Sequence, residues 1–110
     1  MWRASLAAKT PKGVIMKTAS FSVLTSKLGP FVSSSQNRQH NQTIMTFRNG
    51  TLLKSYRSVV GIRLNDGSLY LSGLHDYSQT TNKQVGNWCG MGVAERRKGL
   101  ENGSIGFIQA

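Results

Sequence analysis

Hydrophobic and polar residues alternate most regularly in the middle of the chain, around two turn-forming pairs, Asn49-Gly50 and Asp66-Gly67. Both pairs suit tight hairpins because their residues tolerate positive φ. As two-residue turns they set Phe47 opposite Leu52 and Met45 opposite Lys54. The second sets Leu64 opposite Leu69, Arg63 opposite Tyr70, Ile62 opposite Leu71 and Arg57 opposite Asp76. The period of two then collects Met45, Phe47, Leu52, Tyr56, Val60, Ile62, Leu64, Leu69 and Leu71 on one face. Leu53, Ser55, Arg57, Val59, Gly61, Arg63, Tyr70, Ser72 and Leu74 fall on the other. The pattern predicts a three-stranded antiparallel meander over about 43–48, 51–64 and 68–75. The second strand is long for its class, so a bulge or bend is expected near 58–61.

The flanks carry weaker signals. Phe21 and Val23 alternate with serines over 19–24, a short strand pattern. Residues 25–42 combine Gly29-Pro30, a serine triplet and a polar string, which predicts a long loop, mobile after Val32, whose Lys27, Arg38 and His40 form a basic finger. Beyond the meander, Ser78 or Thr80 caps a helix; Val85, Trp88 and Cys89 make its apolar stripe, and Gly90 stops it. Residues 93–104 read as a short helical or loop segment, and 105–108 as a last strand pairing near Phe21. The fold class expected is α+β: a small antiparallel sheet, a meander of three or more strands, with one short helix packed on one face. Residues 1–18 read as a basic, disordered extension, Met16 being a plausible start, and 19–110 as a single domain.

Composition narrows the function. The 110 residues suit one domain, and 38% of them are hydrophobic. No apolar run approaches the roughly 18 residues of a membrane span, so no membrane is expected among the partners. Cys89 is the lone cysteine, which excludes an internal disulfide. Charge is the sharpest feature. The chain carries 14 Lys and Arg against 4 Asp and Glu, and the first 65 residues hold ten basic groups and no acid. Such a stretch cannot neutralise itself and attracts polyanions: nucleic acid, acidic lipid or an acidic protein face.

No catalytic constellation can be assembled. His75 and Asp76 are adjacent in a strand pattern and point apart, and Cys89 lies on the apolar stripe as a structural thiol. Two histidines, one cysteine and scattered acids have no metal-ligand spacing, and no phosphate-cradling glycine loop occurs. No enzyme activity, metal or cofactor is therefore expected. Binding residues remain. Arg57, Arg63 and Tyr70 share the predicted outer face, where a ring stacks on bases and guanidinium groups meet phosphate. Lys27, Arg38, Arg48 and Lys54 extend that basic surface. The plainer alternative is that Arg57 pairs with Asp76 and Arg63 packs on Tyr70. At the predicted helix start, Thr80, Thr81 and Lys83 suit an anion, the alternative being simple capping.

The stretch from Leu53-Lys54-Ser55-Tyr56-Arg57-Ser58-Val59-Val60, through Asp66-Gly67-Ser68-Leu69-Tyr70, to Asp76-Tyr77-Ser78-Gln79-Thr80-Thr81-Asn82-Lys83-Gln84 resembles a family of small, uncharacterised tailed-bacteriophage proteins. Their pattern is SYxTxVA, a DG turn, LY, then YSxTTxKH. Gln84 stands where the pattern has histidine, and Ser58 where it has threonine. The resemblance implies a phage accessory protein in the cytoplasm of an infected bacterial host. The function expected is nucleic-acid binding, DNA or RNA, through a basic sheet face. The alternative is a counter-defence or host-takeover inhibitor, an anti-CRISPR type or nucleotide-signal sponge, that contacts an acidic host protein or ligand directly. Homo-oligomers are compatible with either.

Overall fold

The central alternation becomes part of a seven-stranded sheet in a computed structural model that describes residues 17–37 and 41–109. In chain order the elements are β1 (Thr18–Ser20), α1 (Phe21–Leu28), β2 (Phe31–Asn37), β3 (Gln42–Phe47), β4 (Gly50–Ser55), β5 (Ser58–Leu64), β6 (Leu69–Leu71), α2 (Gln79–Cys89), α3 (Val93–Asn102) and β7 (Gly106–Gln109). The sheet order is β1-β7-β6-β5-β4-β3-β2. β2 to β6 form an antiparallel meander, while β7 enters parallel to both β6 and β1. The fold is α+β, with helices on both faces. The last strand pairs beside Phe21, as the sequence suggests, through Thr18–Ser20.

α1 replaces the strand expected at 19–24. The Ser20 hydroxyl accepts from the Val23 amide, and Leu24 and Leu28, four apart, share the buried side. The alternation of Phe21 and Val23 is misleading because both side chains are exposed. The loop expected over 25–42 contains the end of α1 and the strand β2. A serine triplet serves there because an edge strand needs only backbone bonds to β3, its side chains facing water. Arg38 and His40 of the expected basic finger lie outside the described residues.

The long second strand is two strands, β4 and β5, folded back at Tyr56-Arg57. The first hairpin turns at Arg48-Asn49, so Phe47 faces Gly50 and Met45 faces Leu52. Gly50 is needed for close packing rather than for the turn: a Cβ there would strike the Arg63 carbonyl and the Leu28 side chain. The third hairpin has a three-residue loop, 65–67, closed by Gly67 at φ +95. Its register therefore places Ile62 opposite Tyr70 and Arg63 opposite Leu69. One residue of slip exchanges the faces of a strand. Tyr70 consequently turns inward toward α1, and Leu69 and Leu71 join the opposite face.

Two cores result. Under α1 lie Leu52, Ile62, Leu64, Tyr70 and Ile108 with Leu24 and Leu28. Under α2 and α3 lie Leu53, Val60, Leu69, Leu71, Val85, Leu100 and Ile105. The expected bulge is present, since the β4–β5 register shifts after Leu53 and leaves Val60 unpaired before Gly61. α2 matches its expected bounds, with Ser78 accepting from the Thr81 amide and Gly90 ending the helix. Residues 93–102 form a full helix, α3.

Candidate functional site

The predicted binding face does not assemble. Arg63 lies on the α2 side, half-buried, and its Nη2 donates to the Cys89 carbonyl at 3.4 Å. Tyr70 lies on the α1 side and is only 5% exposed, with the Lys17 ammonium 4.8 Å from its ring centre. Arg57 sits exposed at the β4–β5 turn. Asp76 faces Arg97 instead of Arg57, accepting from Nε at 3.1 Å and Nη2 at 2.8 Å, and that guanidinium holds its carboxyl below the ordinary range. Lys27 lies in the last turn of α1 and Arg48 sits in the β3–β4 turn, both exposed. Lys54 is half-buried on the α1 side of β4, opposite Thr43 and Val59.

The last residue of α1 meets the β3–β4 turn, where the Asn49 amide donates to the Leu28 carbonyl at 2.9 Å. At the β4–β5 turn lies a groove of about 720 Å³. Gln36, Gln42 and Thr43 from β2 and β3 line one side, with Asn41; Tyr56, Arg57 and Ser58 line the other. Among the described residues, no carboxylate is in the lining. Tyr56 is held at φ +57, a left-handed conformation unusual for a bulky residue, and the residue is 58% exposed. Its amide donates to the carbonyl of Asn41, itself at φ +51. Asn41 tolerates that conformation, so Tyr56 is the strained residue beside the groove, and strain of this kind gathers at functional sites.

The arrangement offers an open aromatic face, a guanidinium and several amide and hydroxyl groups. An exposed ring of this kind can stack on a flat aromatic group, a guanidinium such as that of Arg57 can meet an anion, and the amides of Gln36, Asn41 and Gln42 can supply donors and acceptors. Tyr56 was placed in the core by the unbroken period of two. The signals pointing elsewhere are the excessive length of that strand and the polar interval Ser55-Tyr56-Arg57-Ser58 inside it. A second cleft, about 400 Å³, lies near Lys27, Asn49, Asn65 and Tyr70, but Asp66 lines it too. Hydrogen bonds from Ser68 keep the Asp66 carboxyl below its ordinary pKa, with Lys17 and Lys27 adding to the effect. An anion there meets a carboxylate as well as cations, which makes this the poorer polyanion site.

The helix start at Thr80, Thr81 and Lys83 is committed to structure at its centre. The Ser78 hydroxyl accepts from the Thr81 amide at 3.1 Å and also donates to Thr81 Oγ1 at 3.1 Å. Thr81 Oγ1 and Ser55 Oγ share a buried hydrogen bond of 3.0 Å. Thr81 is thereby turned away from any external anion, whereas Thr80 and Lys83 are exposed. The same bond joins the SY and YSxTT halves of the sequence pattern, 26 residues apart.

The other polar cluster is internal. Arg96 is fully buried; Nε donates to His75 Nδ1 at 3.1 Å, Nη1 to the Met91 carbonyl at 2.7 Å, and Nη2 to Asn82 Oδ1. It ties α3 to α2 and to the segment after β6. Burial lowers the His75 pKa; Asp76 opposes that shift, while Arg96 and Arg97 reinforce it. Cys89 is half-buried, its thiol 3.9 Å from the Met91 carbonyl. Among the described residues, no three His, Cys, Asp or Glu gather as a metal site, and no helix is long and apolar enough to cross a membrane. No family model, curated protein or solved structure matches the chain.

Proposed function

We propose that the protein is a non-enzymatic nucleic-acid-binding protein that holds a single-stranded segment in the groove at the β4–β5 turn. The observation that carries this reading is Tyr56: an exposed residue, held at φ +57 beside Arg57, at a groove whose described lining holds no carboxylate. A base stacks on the Tyr56 ring, Arg57 grips the adjoining phosphate, and Lys54, on β4 just before the turn, adds positive potential. The acid-free first 65 residues draw the polyanion in. A single strand fits better than a duplex because stacking on an open ring needs an unpaired base. The setting we infer, a phage accessory role in the cytoplasm of an infected bacterium, rests on the SY…YSxTT resemblance alone.

The test is binding of labelled single-stranded DNA, single-stranded RNA and duplex DNA to the full chain at moderate salt. We expect the single strands to bind more tightly than the duplex. Tyr56→Ala should weaken single-strand binding by about 5- to 150-fold, the span of one lost base stack of about 1–3 kcal/mol. Unchanged affinity in that variant would remove the groove from the account.

A further inference from the structure

The two edges of the sheet differ. β1 closes one edge with 3 residues, whereas β2 closes the other with 7. Side chains from Phe31 to Gln36 are all exposed, Phe31 and Val32 by 54% and 62%. Between Lys27 and Arg38 the sequence has no charged residue, and Pro30 stands just outside the strand. Edges of such length are ordinarily blunted by lysine, proline, a covering helix or a bulge. Among the described residues the one such device is a register shift beside Phe31. No described strand pairs with the outer side of β2, which is the template on which an extended chain adds as a further strand.

Charge selects the occupant. At the Phe31 end stand Lys27 and Arg48, whose amide donates to the Pro30 carbonyl at 2.9 Å. At the other end stands Arg57, which lines the same groove as Gln36. None of the four acids lies on β2, β3 or β4: Asp66, in the β5–β6 loop, shares a cleft with Lys27, while Asp76 follows β6 and Glu95 and Glu101 are on α3. A second copy paired antiparallel would bring the Lys27 and Arg48 end of one molecule to the Arg57 end of the other, cation against cation. An acidic chain meets opposite charge at both ends. We propose that the β2 edge takes an extended, acidic segment of a partner protein as an eighth strand, backbone bonds supplying affinity and the flanking cations supplying selectivity. This goes beyond nucleic-acid binding and does not use Tyr56.

The probe is a fluorescent, end-blocked peptide of alternating Glu and Val, titrated against the full chain and followed by anisotropy and amide hydrogen exchange. Two controls accompany it: the Lys and Val counterpart, and the Glu and Val peptide N-methylated at three consecutive central residues, which keeps every charge but cannot pair. We expect saturable binding of the acidic peptide, at least about tenfold tighter than either control, with slowed exchange confined to 31–37 and its neighbour β3. Equal binding of the N-methylated peptide, protection elsewhere, or no binding at about 1 mM peptide would overturn the proposal. A dimer of the free chain joined through β2, detected by sedimentation with the same exchange pattern, would overturn the choice of occupant.

Discussion

Tyr56 shows the sharpest conflict between a residue and its place in the fold. A bulky L side chain in the left-handed region costs about 1–2 kcal/mol, and a residue 58% exposed recovers little of that through burial. Glycine would relieve the strain, so Tyr56→Gly should raise stability by about 1 kcal/mol in urea unfolding. His75 makes the second residue-scale case. Its Nδ1 accepts from buried Arg96, and burial holds its pKa below the ordinary 6.5. Because the folded value is the lower one, the unfolded chain takes up the proton first as pH falls. The contribution is intact above pH 6.5 and is lost as pH drops from there through the folded pKa. The Asp76 carboxyl, held low by Arg97, stays ionised in that window. Urea midpoints should therefore fall between roughly pH 7.5 and 5.5, and His75→Gln should flatten the slope. An equal slope in that variant would assign the effect to another group.

At the scale of elements, local chemistry was legible and register was not. Ser78 and Gly90 bound α2 through contacts within a few residues, so the sequence displays both ends. Hairpin positions were legible near Asn49 and Gly67, but loop lengths depend on tertiary contacts. Gly50 moves into β4 because Arg63 and Leu28 crowd its Cα, and that shifts the first turn to Arg48-Asn49. The three-residue loop at 65–67 then separates Arg63 from Tyr70, which dissolves the predicted face. β2 escaped notice because serines on a solvated edge have no hydrophobic period. The buried bond between Ser55 and Thr81 joins β4 to α2 and can be isolated by a double-mutant cycle. Thr81→Val leaves the Ser55 hydroxyl short of a partner and should cost about 1–2 kcal/mol. Adding Ser55→Ala should cost less than the sum of the single changes. Additive losses would show that the hydroxyls act independently.

On the scale of the whole molecule, the charge asymmetry read from the sequence acquires a place. The acids lie in the β5–β6 loop, after β6 and on α3, while the β2–β4 wing and the β4–β5 turn are free of them. The α+β class was legible because central alternation and one capped helix are strong local patterns. Coverage of both faces was not, since Phe21 and Val23 of α1 alternate like a strand, α3 carries a weak amphipathic signal, and the β1–β7 and β6–β7 pairings beside them are long-range. The most direct measurement is the affinity of a labelled single-stranded oligonucleotide for the wild-type chain and for Tyr56→Gly across a range of salt, with urea stability measured alongside. We expect the variant to be the more stable protein yet to bind about 5- to 150-fold more weakly, with the same salt slope, because the ring is lost and the phosphate contacts are kept. A variant that is more stable and binds as tightly as wild type would contradict a nucleic-acid site at Tyr56.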